Sequence, residues 1–396
     1  MGQMISLSEA QSRVLAMAPT MQTEKVSVSS ALGRYLATDL IARRTQPPAD
    51  LSAMDGFAIL GDGPWKLVGE SRAGAPCGNK INPGECTRIS TGAHIPDCAD
   101  RVLIQENASV ADELVRCTQD MPREGKHIRR RGFDFAEGDR LLEAGRLIGP
   151  SQIALAITSG HAEVEVRRPP FVAVLDSGDS LSSDPVSCRP DQIPASNGAM
   201  IAAMLSNLGC QVLRIGPVAD DSAALAAALK QAETADVLVT SGGASVGDHD
   251  LIKPALESWG AKLDFWKVAM KPGKPLMLAK RGDQIVIGLP GNPVSSYVTA
   301  ALFLLPLVRV AMGSTRPLPR RGKFRLACDL PASGSRHEFL RANWDVDVVG
   351  LSELQDSSAL LTLANSNCLI ERPPNSDAAE AGSFVPVVFP ENVGFA

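Results

Sequence analysis

Between Thr240 and Ser296 the chain carries three glycine-rich polar loops, Ser241-Gly-Gly-Ala-Ser-Val-Gly-Asp248, Lys271-Pro-Gly-Lys-Pro275 and Leu289-Pro-Gly-Asn-Pro-Val-Ser295, each beside a short apolar run. Glycine has no Cβ, so backbone N–H groups can come close to an anion and turn toward it. Lys271 and Lys274 add two ammonium groups to a loop stiffened by Pro272 and permissive at Gly273. Pro290, Gly291, Asn292 and Pro293 open an apolar helical run, whose first amides and Ser295 hydroxyl can hold an anion. Asp248 and Asp250 supply carboxylates able to bind a metal or steer a nucleophile. The chemistry on offer is the binding and activation of a small, phosphate-rich molecule.

Such loops act together only if a rigid framework brings them to one place. From Phe171 onward apolar runs alternate with alanine-rich stretches. Strands are expected over 171–176, 211–218, 236–241, 263–268, 276–279 and 284–288, and helices over 195–208, 222–234, 251–259 and 294–312. Runs such as Phe171-Val-Ala-Val-Leu175 are apolar toward both faces, which indicates a parallel sheet covered on both sides. The expectation is a doubly wound α/β domain over 167–314. In such sheets ligands bind outside the carboxyl ends of the strands, where Asp176-Ser-Gly-Asp-Ser180, Asp220-Asp221 and Ser241-Gly-Gly243 fall. For any one loop a plain turn is the lesser alternative, and their coincidence at strand ends points to a site.

The rest of the chain has a different texture. Ser6-Leu-Ser-Glu9 has capping-box spacing ahead of a helix at 10–17, a strand is expected at 25–28, a second helix near 31–42, and helical spacing returns at 147–159. Segments 1–45 and 135–166 are expected to form one discontinuous helical and linking domain. Between them 46–134 reads as a β-rich insertion, with short strands at 56–60, 65–68, 87–89, 101–105 and 114–117. Beyond the linker at 313–319, apolar runs at 324–328, 338–344, 360–363, 368–371 and 384–389 indicate a C-terminal β domain over 315–396.

Bulk composition narrows the function classes. Lys+Arg 39 against Asp+Glu 44, with no basic run longer than Arg129-Arg-Arg131, lacks the charge for sequence-independent nucleic-acid binding. Eight cysteines without a C-x-x-C pair argue against a zinc ribbon or a disulfide framework, and most are expected as small core residues in a reducing compartment. The first residues lack a signal pattern and the most apolar stretch, 298–308, is too short to span a bilayer, so a soluble cytoplasmic protein without a membrane partner is expected. No G-x-x-x-x-G-K-[ST] loop occurs and no G-x-G-x-x-G follows the first α/β strand, which disfavours ATP kinases and NAD dehydrogenases. The five histidines occupy no evident base position for a triad hydrolase.

In the β-rich segment, Ser52-Ala-Met-Asp-Gly56 places Asp55 in a turn and Thr91 precedes a glycine after a strand, either of which turn chemistry alone would explain. Arg129, Arg130 and Arg131 ahead of Gly132 form an anion clamp or an ordinary solvated run.

As an ordered series, Ser52-Ala-Met-Asp-Gly-Phe-Ala58, Arg88-Ile-Ser-Thr-Gly-Ala93, Arg129-Arg-Arg-Gly132, Thr240-Ser-Gly-Gly243 with Ser245-Val-Gly247, Lys271-Pro-Gly-Lys-Pro275 and Leu289-Pro-Gly-Asn-Pro-Val-Ser295 resembles the molybdopterin molybdenumtransferase family, that of MoeA and the gephyrin E domain. The resemblance runs from Ser6 to about Val387. It implies a four-domain homodimer that inserts molybdate into adenylylated molybdopterin with the help of Mg²⁺, releasing AMP and Mo-molybdopterin. It further implies a site shared between subunits, with Asp55, Thr91 and Asp134 facing the α/β loops of the partner, and Arg131 is a candidate substrate-binding residue. Ser177, Gly178, Ser180, Ser241, Gly242, Gly243, Ser245, Gly247 and Asp248 would then hold pterin and diphosphate. Lys271, Lys274, Pro290, Gly291, Asn292, Pro293 and Ser295 would form the phosphate and oxyanion side, and Asp179, Asp220 and Asp250 are the candidate metal carboxylates. Client molybdoenzymes or an adenylyltransferase are the implied macromolecular partners. Two departures stand out: the family reads Thr-Gly-Asp-Glu-Leu where this chain has Ser177-Gly-Asp-Ser-Leu181, and Arg-Gly-Glu-Asp where it has Arg131-Gly-Phe-Asp134. A missing acid opens an alternative, a non-catalytic paralogue that binds molybdopterin or finished cofactor and delivers it to a client.

Overall fold

The computed structural model describes residues 4–78, 80–242 and 251–390. Ser6 opens helix Leu7–Ala16, its hydroxyl accepting the Glu9 amide at 3.2 Å. Leu7, Ala10, Gln11 and Val14 repeat at helical spacing on one buried face. That face packs on the long apolar helix that runs from Pro293 to Ala311 and is 94% buried. Inside this long helix, Pro306 has no N–H to give the Leu302 carbonyl, and the segment Ala300–Leu304 widens to a π turn. Gln11 supplies the missing donor, its Nε2 reaching the Leu302 oxygen at 3.1 Å.

The helix expected near 31–42 does not form. Gly33 takes a φ of +77°, and the apolar residues after it are drawn into ladders instead: Tyr35 bridges Leu147, Leu36 bridges Val166, and Leu40–Ile41 pairs with Arg140–Leu142. Strand Thr23–Ser27 likewise pairs antiparallel with Glu163–Arg167, and Val28, Ala31, Leu36, Leu40, Ile148, Ala156, Val164 and Val166 share one small core. Helix Pro150–Thr158 lies close to its expected place.

The β-rich segment forms a six-stranded sheet in the order Arg101–Ile104, Gly56–Ile59, Glu85–Ile89, Trp65–Ser71, Leu114–Cys117, Ala108–Ala111. Gly56 is required at its centre, because a Cβ there would lie 2.0 Å from the Leu103 carbonyl oxygen.

The central sheet runs Gln211–Val218, Phe171–Ser177, Val237–Ser241, Gln284–Leu289, Pro275–Arg281, Lys262–Lys267. Its first four strands are parallel, whereas the last two are antiparallel to their neighbours. A two-residue turn, Gly282 and Asp283, joins 275–281 to 284–289, and so tight a connection allows only an antiparallel pair. Val172, Val174, Val237 and Val239 point to one face, covered by helix Asn197–Ser206 and the long helix. Ala173, Leu175 and Leu238 point to the other, covered by helices Ser222–Gln231 and Ile252–Ser258. The fold is thus doubly wound, each fully buried Val, Leu or Ile side chain contributing about 1.5–3 kcal/mol.

In the C-terminal part, strands His337–Asp345, Val348–Leu351, Arg320–Leu326, Phe384–Phe389 and Cys368–Arg372 pair in that order, and the last pairs back on the first, closing a small barrel. Phe324, Trp344 and Phe389 meet edge to face inside it, centroids 5.4–5.6 Å apart. The strand expected at 360–363 is helical, Leu360–Ala364, and sends Leu363 into the core of the α/β unit. Strand Met270–Lys271 joins the barrel sheet, pairing with His337 and Glu338. The eight cysteines are unpaired, but only Cys86, Cys210 and Cys368 are buried, fewer than the core role expected of them.

Candidate functional site

Parallel register brings the strand ends level. Asp176 lies opposite Ser241, Ser241 opposite Leu289, and Ser177 opposite Val218, so the polar loops leave the sheet along a single edge. Their backbones then nearly touch. Gly242 has a φ of +92°, and a Cβ on it would sit 2.7 Å from the Ser177 carbonyl oxygen. A Cβ on Gly291 would lie 3.6 Å from the Gly242 Cα. From the first turn of helix Asn197–Ser206, the Asn197 side-chain amide donates to the Gly291 carbonyl at 2.7 Å, tying a third element to the same crevice.

Asp179 and Asp220 face each other across this edge. The Asp220 amide donates to Asp179 Oδ1 at 3.0 Å, the Asp179 amide to Asp220 Oδ2 at 3.3 Å, and the Ser177 hydroxyl to Asp220 Oδ1 at 3.2 Å. Among the described residues neither carboxylate forms an ion pair, and no group of three or more His, Cys, Asp or Glu side chains is placed to hold a metal. Asp221 instead caps helix Ser222–Gln231 through the Ala223 and Ala224 amides. Gly178 is at φ +147°, and Ser180 is solvent-exposed. Gly243, Ser245, Gly247, Asp248 and Asp250 lie outside the described residues.

Sequence reasoning missed Asp176 itself. It is the last residue but one of strand Phe171–Ser177, whose first five residues are apolar, and is only 4% exposed. Burial pushes its carboxyl up to about 6, against the pull of Arg214.

Lys271 and Lys274 are exposed, Lys271 Nζ lying 3.8 Å from Glu338 of the barrel. Gly273, at φ +103°, packs on the long helix, where a Cβ would come within 2.5 Å of Thr299 Cγ2. Asn292 is the N-cap of that helix and Pro293 its first residue. Asn292 Nδ2 donates to the Ser357 hydroxyl at 2.8 Å and the Val294 amide to the Ser357 carbonyl at 3.1 Å, so a barrel loop braces the Pro290 turn. Arg341, 1% exposed, holds that loop by donating to the Leu354 and Asp356 carbonyls at 2.6 and 2.9 Å. Ser295 is 5% exposed within the first helical turn.

The β-rich candidates form a second cluster. Asp55 Oδ1 accepts the Thr91 amide at 2.6 Å, and the Thr91 amide and hydroxyl hold its carboxyl below the usual range. Pairing of Ile128 with Ser52 and of Arg129 with Leu51 sets the arginine run beside this turn. Arg130 bonds Asp50 at 2.6 Å, Arg131 gives its amide to Asp50 at 2.8 Å and its Nε to the Pro48 carbonyl at 3.2 Å. The Asp134 amide donates to the Gln46 carbonyl at 3.1 Å, while Phe133 is 77% exposed. No hydrogen bond or ion pair among the described residues joins Asp55, Thr91, Arg131 or Asp134 to the strand-end loops of the same chain.

Comparison with known proteins fits this geometry. Residues 5–160 match the family described as MoeA N-terminal region (domain I and II), residues 173–310 the probable molybdopterin binding domain, and residues 323–389 the MoeA C-terminal region (domain IV). The chain is 33% identical to a molybdopterin molybdenumtransferase of Haemophilus influenzae, covering 97% of this chain and 98% of that protein. It is 32% identical to one of Bacillus subtilis, covering 97% and 94%. Among solved structures, a molybdopterin biosynthesis MoeA protein from Pyrococcus horikosii superposes with a TM-score of 0.80 at 27% identity, over 98% of this chain and 100% of that one.

Proposed function

The chain belongs to the MoeA family of molybdopterin molybdenumtransferases, and from that premise we propose that it inserts molybdate into adenylylated molybdopterin, releasing AMP and Mo-molybdopterin. The observation that carries this reading is the meeting of Ser177, Gly242 and Gly291 backbones at one sheet edge, beside the Asp179 and Asp220 pair. Backbone amides that close can cradle a diphosphate, and Lys271 and Lys274 add charge to neutralise molybdate and the departing phosphate. Asp179 and Asp220 would hold Mg²⁺, which when bound polarises the phosphoanhydride. Ser177 and the two reciprocal amide bonds orient those carboxylates.

The site is shared across a homodimer in this reading, the partner's β-rich sheet bringing Asp55, Thr91, Arg131 and Asp134. Its support is that these residues form an ordered cluster unconnected to the strand ends of their own chain. A cytoplasmic enzyme with client molybdoenzymes or an adenylyltransferase as partners completes the proposal. The exposed Ser180 motivated the alternative of a delivery protein, which relatives named as the transferase along nearly their full length do not favour. Purified protein incubated with adenylylated molybdopterin, Mg²⁺ and molybdate should release AMP; none at millimolar molybdate rejects the enzyme.

A further inference from the structure

We propose that Asp176 is a positioning residue of the crevice: its buried carboxylate clamps the first turn of helix Asn197–Ser206 against the end of strand Val237–Ser241, and that turn in turn fixes the Pro290 loop. The kinetic part of this proposal rests on the function proposed above; the structural part does not.

Geometry carries it. A Cβ at position 198 would lie 2.1 Å from Asp176 Oδ2, so only glycine admits the carboxylate against this helix. On the sheet side Asp176 is registered with Ser241, whose buried hydroxyl has no hydrogen-bond partner among the described residues. One residue before Gly198, Asn197 holds the Gly291 carbonyl at 2.7 Å, and Gly291 lies against Gly242. A single acid therefore touches the helix and the strand whose mutual spacing sets the gap between two glycine loops. Among the described residues Arg214, on strand Gln211–Val218, is the charged group that acts on it. A carboxylate packed against the first turn of a helix is favoured when ionised, so the clamp weakens in mild acid.

The test compares wild type, Asp176→Leu and Asp176→Asn by amide hydrogen exchange and by AMP release across pH. Asp176→Leu removes the acceptor and should speed exchange in 198–201 about tenfold or more, without a matching rise in the central strands. It should also raise KM for adenylylated molybdopterin more than it lowers kcat. Asp176→Asn keeps an acceptor oxygen and should restore both at pH 8, while losing the inflection in kcat/KM that wild type shows between pH 5 and 7. Unchanged exchange in Asp176→Leu, or identical pH profiles for wild type and Asp176→Asn, overturns the proposal. If wild type releases no AMP, the functional reading fails, and exchange alone still decides whether the clamp exists.

Discussion

Asp176→Asn should make the protein more stable at neutral pH, and only there. The carboxyl is displaced from 3.8 to about 6 because the folded chain buries it, so the charged form is disfavoured in the native state relative to the unfolded one. Between those two values the unfolded chain has released its proton while the native chain still holds it. Stability therefore falls as pH rises from about 4 to about 6, and stays lowered above that. At about 1.36 kcal/mol per pH unit, the full cost approaches about 3 kcal/mol. Asparagine cannot ionise, so the cost disappears. Scanning calorimetry of both proteins at pH 4.5 and pH 8 measures it: the variant should melt within about 2 °C of wild type in acid and roughly 6–10 °C higher at pH 8 for the α/β transition. A variant that melts lower than wild type by the same margin at both values would refute the reasoning, since the acid would then act through packing rather than charge.

Other expectations concern single contacts. Gln11→Leu leaves the Leu302 carbonyl unpaired in the core and should cost about 1–3 kcal/mol, read as a lower melting temperature with little change in AMP release per folded molecule. Gly242→Ala faces both a φ of +92° and a carbonyl oxygen at 2.7 Å, and should reduce AMP release by about a hundredfold while the chain stays folded. Ser180→Glu, which restores the acid usual in this family, should change turnover by less than about tenfold if the Asp179 and Asp220 pair already suffices. A larger gain would favour the delivery-protein alternative.

Much of the α/β unit was legible because apolar runs with the right period are hard to place any other way. Strand 211–218 and the end of strand 237–241 fall where the pattern put them, and with them Ser177, Gly242 and Pro290 at one edge. Local pattern failed where distant partners decide. The residues of 31–42 have helical spacing, yet Tyr35 and Leu36 are held by Leu147 and Val166. Leu360 to Leu363 reads as a strand, but the position of Leu363 is set by the α/β core. Among the candidate residues, Lys271 and Asn292 were visible as motif members, whereas their partners Glu338 and Ser357 carry no local signature. Asp176 was hidden for the opposite reason: it closes an expected strand and opens a polar motif, and only its 4% exposure and the glycine opposite reveal a buried charge.

The barrel is joined to the α/β unit through the ladder from Met270–Lys271 to His337–Glu338 and through the Ser357 bonds to Asn292 and Val294. Two attachments make a handle rather than a tether: any tilt of the barrel must carry the lysine turn and the cap of the long helix along with it. A partner that grips the outer wall of the barrel therefore has mechanical access to the lysine turn and the helix cap without ever entering the cleft.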